Sequence, residues 1–212
     1  MNKKNIFIYG AGGFGREVYC WLKDVEKIDH SINFSGFLVD MGDFSKYPIV
    51  TNNYVGPVAD WEPRQNDYVI IAAGFIDAKL KMIKNLQDKN VNYFNLIHPT
   101  AILGLNVEIG QGNIICPNCV LTTDIKIKDF NLFNVGVTVG HDVRIGSYNT
   151  FSSHNDITGF VTVGNENYFG SRVSVAPKKS IGERNKISAG SVIFRNIKSD
   201  LMVMGNPSKS FK

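Results

Sequence analysis

One position in every six is hydrophobic along the second half of the chain. From Leu96 to Ile197 this position holds an aliphatic residue or Phe seventeen times without a gap. A helix repeats near 3.6 residues and a simple strand at 2, so neither produces this period. A strict six-residue period is typical of a parallel β-helix, in which each hexad forms one short strand and a corner. The positions are Ile97, Leu103, Ile109, Ile115, Leu121, Ile127, Phe133, Val139, Ile145, Phe151, Ile157, Val163, Phe169, Val175, Ile181, Ile187 and Ile193.

Three hexads make one triangular coil, so residues eighteen apart should stack on the same face. Gly often follows the inward residue, and Gly, Asn and Asp fill many other corner positions, as turns with positive φ favour. An antiparallel β-sandwich is the alternative, but its strands recur irregularly at 8–12 residues. The predicted faces hold Ile109, Ile127, Ile145, Val163 and Ile181; Ile97, Ile115, Phe133, Phe151, Phe169 and Ile187; and Leu103, Leu121, Val139, Ile157, Val175 and Ile193.

The first half of the chain lacks the hexad pattern and needs a core of its own. Its pattern predicts a small α/β domain over residues 1–95 with a parallel sheet, followed by the β-helix over 96–197 and a tail over 198–212. Such a domain is too short for a dinucleotide fold with two mononucleotide halves. The predicted elements are strands over 5–9, 32–39, 68–73 and 93–96, a helix from the glycine-rich turn to about residue 27, and a helix over 77–90 with Asp77 as N-cap.

A G-x-G-x-x-G motif follows the first predicted strand and opens the first predicted helix, which is the context that the motif needs. Gly10 would permit the tight turn, Gly12 would let a ligand approach the backbone, and Gly15 would let the helix pack closely. Free N–H groups at the helix start, at Gly13, favour an anion. The alternative is that the glycines only pack a strand against a helix.

Two further residues are candidates for this nucleotide site. Asp40 ends the second predicted strand and could bind a ribose or a base edge, and Gly74 closes the third strand. Arg16 and Glu17 at the helix start could also contact the nucleotide, although both could be solvated. We therefore expect the nucleotide part of a ligand to bind at this end of the sheet.

Composition and charge exclude several classes of function. The 212-residue chain carries a formal charge of +4 without the clustered Lys and Arg of a nucleic-acid surface, which fits an anionic small molecule better. No apolar run approaches the ~18 residues of a membrane span, and no signal peptide is visible. We therefore expect a cytoplasmic protein with neither nucleic acid nor membrane as partner.

The three cysteines favour neither a disulfide framework nor a metal site. Cys116 and Cys119 form a C-x-x-C pair, but a structural zinc site needs four ligands and no second pair exists. A redox pair would lie at a strand-to-helix junction, whereas this pair lies inside the hexads. We expect ordinary structural cysteines and no bound metal.

Four motifs together resemble a known family over nearly the whole chain. They are the GAGGFGRE turn from Gly10, the junction over 97–101 (IHPTA), the pair His141-Asp142, and the closing G-N-P-S-K over 205–209. The combination is similar to bacterial sugar O-acyltransferases of the sialic acid O-acetyltransferase type. That family includes N-acetyltransferases of nucleotide-linked 4-amino-4,6-dideoxy sugars. The resemblance implies a left-handed β-helix, a sugar nucleotide bound in the first domain, and a homotrimer with acetyl-CoA between neighbouring β-helices.

The resemblance also implies roles for individual residues. His141, followed by Asp142, matches the catalytic base, and Asn134 matches an Asn seven residues earlier that recurs in the aminosugar enzymes. Gly159 matches a Gly whose backbone N–H reaches the thioester oxygen. Further matches, along the path of the cofactor's pantetheine and adenine, include Gly170, Ser171 and Ala189.

One stretch departs from the family. After the base, Thr150 stands where members have a second histidine that contacts the cofactor or the acetyl group, and Ser153 and His154 replace Pro-Gly. The departure bears on acyl binding and leaves the base untouched. Lys178 could meet a CoA phosphate as a point charge, and a solvated corner is the alternative.

The expected reaction is acetyl transfer from acetyl-CoA to the 4-amino group of the sugar. A histidine, with an ordinary pKa near 6.5, suits the base, and direct attack is favoured because neither Cys nor Ser is visibly paired with His141. Three alternatives stay open: an O-acetyltransferase of sialic acid or another surface sugar, a γ-class-like carbonic anhydrase, and a non-catalytic scaffold. The carbonic anhydrase would need three metal-binding histidines, whereas His141 and His154 fall on different corners.

Overall fold

The structure is a computed structural model that describes residues 3–212. Its contacts divide the chain into two compact units, one up to Leu96 and one over Ile97–Lys212. Among the described residues, no helix is both long and apolar enough to cross a membrane.

The first unit is built on a parallel sheet of five strands in the order β3-β2-β1-β4-β5. This is the strand order that doubly wound α/β folds use around their first strand. The carboxyl ends of β1 and β2 are neighbours at one edge, which places the glycine-rich turn beside Asp40. The elements are β1 Lys4–Tyr9, α1 Gly13–Glu26, β2 Ile32–Leu38, α2 Pro48–Thr51, β3 Tyr54–Gly56, a 3-10 turn Val58–Asp60, β4 Asp67–Ile71, α3 Ile76–Lys84 and β5 Asn92–Tyr93.

The second helix of the sequence prediction was wrong at both ends. The N-cap position of α3 is Phe75 rather than Asp77, and the helix ends at Lys84 instead of near residue 90. The chain after Lys84 contains Asn85, Asp88 and Asn90, and such residues favour turns over a further helical turn. The short strand β3 and helix α2 were not foreseen because neither is long enough to show a period.

The second unit is a solenoid of two-residue strands, which confirms the predicted β-helix with parallel sheets. Its strands fall into sheets of six, five and eight, and up to β22 the successive members of a sheet are every third strand along the chain. The strands are β6 Leu96–Ile97, β7 Ile102–Leu103, β8 Glu108–Ile109, β9 Ile114–Ile115, β10 Val120–Leu121, β11 Lys126–Ile127, β12 Leu132–Phe133, β13 Thr138–Val139, β14 Arg144–Ile145, β15 Thr150–Phe151, β16 Asp156–Ile157, β17 Thr162–Val163, β18 Tyr168–Phe169, β19 Ser174–Val175, β20 Ser180–Ile181, β21 Lys186–Ile187, β22 Val192–Ile193, β23 Met202–Met204 and β24 Lys209–Phe211.

The segment predicted as a tail over 198–212 extends one of these sheets. Strand β23 pairs in parallel with β21, and β24 turns back to pair antiparallel with β23. The hairpin covers the edge that the last coil would otherwise leave open, which lowers the risk of edge-to-edge association.

The register of the solenoid is eighteen residues per coil. Phe133 pairs with Phe151, and Phe151 with Phe169. These three rings are fully buried and stacked, with centroid separations of 5.0 and 4.6 Å. The aromatic face of the sequence pattern therefore fills one side of the interior.

A ladder of buried asparagines runs parallel to this core and was missed in the sequence. From the second member onward, each side chain donates to the Oδ1 of the asparagine one coil earlier, as Asn149 Nδ2 does to Asn131 at 3.0 Å and Asn167 Nδ2 does to Asn149 at 3.1 Å. The same Oδ1 atoms accept the backbone N–H of the next asparagine, at 2.9 Å for Asn167. The ladder satisfies polar groups inside the corner, as buried polar groups require. Its members are Asn113, Asn131, Asn149, Asn167 and Asn185.

Two corner positions have different conformational needs. The third residue after each inward residue has positive φ at every sixth position from Asn106 to Gly190, and most of these residues are not glycine. The glycines that directly follow an inward residue do not have positive φ. They are needed for space, since a Cβ at Gly164 would lie 2.6 Å from the backbone oxygen of Gly182 in the next coil.

Candidate functional site

His141 lies on the corner between β13 and β14. Its Nδ1 is 2.9 Å from Oδ2 of the adjacent Asp142, so the two neighbouring side chains do face each other. Asp142 has φ of 59°, and this left-handed conformation turns the chain sharply after the histidine. Both side chains are solvent-accessible, with 54% of His141 and 41% of Asp142 exposed. Since Asp142 engages Nδ1, the other ring nitrogen, Nε2, is left for chemistry.

Gly159, one coil later in the same stack, lies directly against the imidazole. A Cβ built on Gly159 would be 2.7 Å from Nε2 of His141 and 2.8 Å from Cε1. The absence of a side chain at Gly159 is therefore what allows the ring to lie where it does. We call this edge of the solenoid the base corner; its members are Thr123, Asp124, His141, Asp142, Gly159, Phe160, Pro177 and Lys178.

The backbone N–H of Gly159 donates to no acceptor among residues 3–212, which are those that the structure describes. On a different corner, the equivalent N–H groups bond a side chain one coil later, as Ser147 does to Asn165 Oδ1 at 2.8 Å. The residue one coil after Gly159 is Pro177, whose side chain has no acceptor. Gly140 keeps space beside this N–H, because a Cβ there would lie 2.7 Å from the Gly159 nitrogen. A donor of this kind suits a developing oxyanion.

Two side chains of the base corner complete its surface. Phe160, 50% exposed, contacts the imidazole edge-to-face, with ring centroids 5.0 Å apart at 89°. Lys178 places its ammonium 5.9 Å from the centre of the Phe160 ring. Phe160 was missed by sequence reasoning, although its position eighteen residues after Asp142 could have identified it. Lys178 was a cofactor candidate, and it lies on the same corner as His141.

The remaining acyl-site candidates lie elsewhere on the solenoid. Asn134, Gly170, Ser171 and Ala189 fall on the corner that follows β12, β18 and β21, which we call the second corner. The side chain of Asn134 accepts the N–H of Val135 at 2.7 Å. Thr150 is in strand β15 and is only 2% exposed. One chain therefore brings together His141, Asp142, Gly159 and Lys178 but not these residues.

His154 also lies on the second corner, where its φ is 59°. Its ring lies over Gly136, since a Cβ at Gly136 would be 2.6 Å from Nδ1 of His154. His98 is largely buried, and its Nδ1 is 2.9 Å from Thr100 Oγ1, which fits a structural role. His141 and His154 are thus on different corners, as the spacing predicted.

The glycine-rich turn of the first unit has the geometry that its spacing predicted. Gly10 has φ of +105°, and a Cβ at Gly15 would lie 2.1 Å from the oxygen of Gly10. Cβ atoms at Gly12 and Gly74 would meet nothing within 4 Å, and at Gly13 only the tip of Arg16 at 4.0 Å. Arg16 itself stacks on Tyr47 at 3.5 Å from the ring centre. Gly10 and Gly15 are therefore structurally required, while Gly12, Gly13 and Gly74 leave backbone open to a ligand.

A cavity of about 430 Å³ opens beside this turn, lined in part by Gly10, Gly12 and Asp40. The Asp40 carboxylate accepts hydrogen bonds from the Tyr9 hydroxyl, from Asn85 Nδ2 and from the backbone N–H of Val58. Tyr9 and Asn85 were not predicted from the sequence. A second cavity of about 400 Å³ adjoins the first and shares Asp40.

The C-x-x-C pair lies in the interior of the solenoid. Cys116 and Cys119 are fully buried and form no disulfide. Burial raises the pKa of the Cys119 thiol to about 11, and its Sγ contacts the Asn134 carbonyl at 3.2 Å. Over residues 3–212, His, Cys, Asp and Glu side chains form no group of three that could hold a metal ion.

Comparison with known proteins identifies the fold. No model of a protein family matches the sequence, and no curated protein does. WeeI from Acinetobacter baumannii AYE matches with a TM-score of 0.83 and 24% identity, over 99% of this chain and 100% of that chain. PerB from Caulobacter crescentus, in complex with CoA and GDP-perosamine, matches with a TM-score of 0.84 and 23% identity, over 98% and 97%. The acetyltransferase domain of PglB from Neisseria gonorrhoeae FA1090, in complex with acetyl coenzyme A, matches with a TM-score of 0.85 and 21% identity, over 99% and 100%.

These similarities are below 25% identity and therefore concern the fold. One of these neighbours is described as a perosamine N-acetyltransferase and another as an acetyltransferase domain. The chain has the β-solenoid fold of sugar N-acetyltransferases.

Proposed function

We propose that the protein transfers an acetyl group from acetyl-CoA to the 4-amino group of a nucleotide-linked 4-amino-4,6-dideoxyhexose. The observation that carries the proposal is the position of the His141 imidazole on a β-solenoid. Its Nδ1 is hydrogen-bonded to Asp142, and its ring lies against Gly159. Among proteins with the same fold, PerB binds CoA and GDP-perosamine, and the PglB domain binds acetyl coenzyme A.

In the proposed reaction His141 is the general base. The Asp142 carboxylate accepts the Nδ1–H and thereby holds the tautomer in which Nε2 has a free lone pair. Nε2 takes a proton from the amine as the amine nitrogen forms its bond to the thioester carbon. The carbon–sulfur bond then breaks, and the proton can pass from His141 to the departing thiolate.

The oxyanion that develops on the thioester oxygen needs a donor, and we assign this role to the backbone N–H of Gly159. That N–H has no acceptor in the described part of the chain, and Gly140 leaves space beside it. Removing a donor of this type typically costs a factor of ~10²–10³ in rate. Lys178, on the same corner, is proposed to meet a phosphate of CoA.

Assembly into a homotrimer would bring the two corners of the site together. We propose that the base corner of one subunit meets the second corner of its neighbour. Asn134 would then face the aminosugar, while Gly170, Ser171 and Ala189 would line the cofactor path. Thr150, which is only 2% exposed, lies behind this surface and is not part of the proposed path. We propose that the solenoid is left-handed. We also propose that the Rossmann-like first unit holds the nucleotide, at Gly10, Gly12, Gly13, Asp40 and Gly74. Since both substrates are intracellular metabolites, we propose that the enzyme acts in the cytoplasm.

The reaction can be tested by following release of free thiol from acetyl-CoA with a panel of 4-amino-4,6-dideoxy sugar nucleotides. We expect turnover with an amino sugar and a loss of at least about 10²-fold in His141→Ala. His30→Ala, which changes an exposed histidine in the first unit, is the matched control and should keep full activity. Turnover only with sialic acid or with a hydroxyl in place of the amine would instead support an O-acetyltransferase.

The shared site can be tested by subunit complementation. His141→Ala and Asn134→Ala chains are each expected to be nearly inactive alone. In mixed trimers, a site needs the intact His141 of one chain and the intact Asn134 of its neighbour, so random mixing should restore about a quarter of the sites. If both residues acted within one chain, mixing would restore none.

A further inference from the structure

The cavity beside the glycine-rich turn has one polar end, formed by Tyr9, Asp40 and Asn85. Asn85 Nδ2 is 2.9 Å from the Tyr9 hydroxyl oxygen and 3.3 Å from Asp40 Oδ2. Tyr9 is almost completely buried, whereas Asp40 and Asn85 are exposed to the cavity side. A ligand in the cavity would therefore meet the outer edges of Asp40 and Asn85.

The polarity of this cluster is fixed by its own hydrogen bonds. Burial, reinforced by the Asp40 carboxylate, raises the pKa of Tyr9, so its hydroxyl stays protonated and donates to Asp40. The Tyr9 oxygen is then an acceptor, and Asn85 must turn its NH₂ group toward both Tyr9 and Asp40. The amide oxygen of Asn85 consequently points away from the cluster.

At this polar end of the cavity, a ligand would meet two free hydrogen-bond acceptors and no free donor. A carboxylate offers about four lone-pair sites, and three at Asp40 are used by Tyr9, Asn85 and the Val58 N–H. The Oδ1 of Asn85 accepts no hydrogen bond from the described residues. The complementary ligand edge has two adjacent N–H donors.

We infer that this cavity binds a guanine base, so that the sugar substrate is linked to GDP. The inference rests on the proposed use of a nucleotide-linked sugar and specifies its base. Guanine presents N1–H and N2–H₂ side by side on its Watson–Crick edge. Uracil and thymine present one N–H between two carbonyl oxygens, and those oxygens would face the Asp40 carboxylate and the Asn85 oxygen. Adenine and cytosine each pair a single amino group with a ring acceptor.

The walls of the cavity fit a flat base with a phosphate beyond it. Val39, Phe44 and Met82 give apolar and aromatic surface for the faces of the ring. The cavity extends to Gly12, where no side chain blocks the backbone, and Lys81 supplies a positive charge. The volume of about 430 Å³ is within the usual range for small-molecule sites.

The first test uses the wild-type protein without any substitution. Titration calorimetry with GDP, IDP, UDP and dTDP compares bases without any mutation, and IDP differs from GDP only in lacking the N2 amino group. We expect GDP to bind at least tenfold more tightly than IDP, UDP or dTDP, because a missing donor leaves a site acceptor unpaired. Equal binding of GDP and IDP, or tighter binding of UDP or dTDP, overturns the guanine assignment but leaves the proposed reaction standing.

A variant pair identifies the acceptor. Asp40→Asn should weaken GDP binding at least tenfold and narrow the gap between GDP and UDP, because an amide can donate to a carbonyl. Asp43→Asn makes the same chemical change three residues away, at a carboxylate that hydrogen-bonds Ser45 and does not line the cavity, and it should bind GDP normally. An unchanged GDP affinity in Asp40→Asn overturns the inference. If wild type binds none of the four nucleotides, the proposed use of a sugar nucleotide fails as well.

Discussion

Replacing Gly159 by Ala should disable the proposed base while leaving the fold intact. The new Cβ would lie 2.7 Å from His141 Nε2, so the imidazole must retreat by about 0.7 Å to reach the 3.4 Å of an ordinary contact. The three nearest atoms all belong to the His141 ring, which can turn away, and Gly159 does not have positive φ. Stability should therefore stay the same or rise slightly, since Ala restricts the unfolded chain by ~0.4–1 kcal/mol.

The expected cost in activity is large for so small a change. A displacement near 1 Å at a reacting group can cost on the order of 10² in rate. We expect kcat to fall about 10²-fold in the thiol-release assay, with the thermal midpoint within about 2 °C of wild type. In a His141→Ala background the same substitution should have little further effect, because the ring that it displaces is gone. An activity within twofold of wild type for Gly159→Ala would refute the proposed position of the base.

Two further predictions concern stability. Asn149→Leu keeps the side-chain volume but removes a hydrogen-bond partner from the Asn167 N–H, the Asn131 Oδ1 and the Gly164 carbonyl. Unfolding in urea should therefore show a free energy of unfolding lower by about 3–5 kcal/mol, and a decrease below about 1 kcal/mol would mean that the ladder contributes little. Burial lowers the pKa of Lys79 to about 7, so between pH 7 and its ordinary value near 10.5 the unfolded chain binds more protons and stability rises with pH. Lys79→Met should remove this slope and be the more stable protein at pH 7, whereas parallel pH profiles for the two proteins would contradict the burial argument.

The solenoid was predictable because its period is set by geometry rather than by propensity. Each inward position must be apolar for a coil to close, so seventeen positions show the same six-residue period. A single substitution would not obscure that period. The asparagine ladder obeys the same eighteen-residue rule, from Asn113 to Asn185, and the sequence contained that signal. It was missed because polar residues at a corner were interpreted as turn formers, whereas these side chains are buried and bond to each other.

The first unit was harder because its signals are local. The predicted helix over 77–90 ran beyond the observed end of α3 at Lys84, because hydrophobic spacing alone does not show where turn residues end a helix. Asp40 was identified from its distance to the glycine motif, but its partners come from β1 and from the turn after α3. Tyr9 and Asn85 are 76 residues apart, and no periodicity connects residues on different elements of an α/β unit. Such a cluster becomes visible only once the sheet order is known.

The base corner shows how a solenoid turns sequence spacing into chemistry. Residues eighteen apart in the sequence stack in neighbouring coils, so the residue in the next or the previous coil determines what a given side chain can do. His141 supplies the imidazole, Gly159 supplies the space in which it lies, and Pro177 leaves the Gly159 N–H without a side-chain acceptor. A serine or asparagine in place of Pro177 could occupy that N–H, as Asn165 occupies the N–H of Ser147. The proposed base and the proposed oxyanion donor thus depend on three residue types in consecutive coils, which no motif of adjacent residues would reveal.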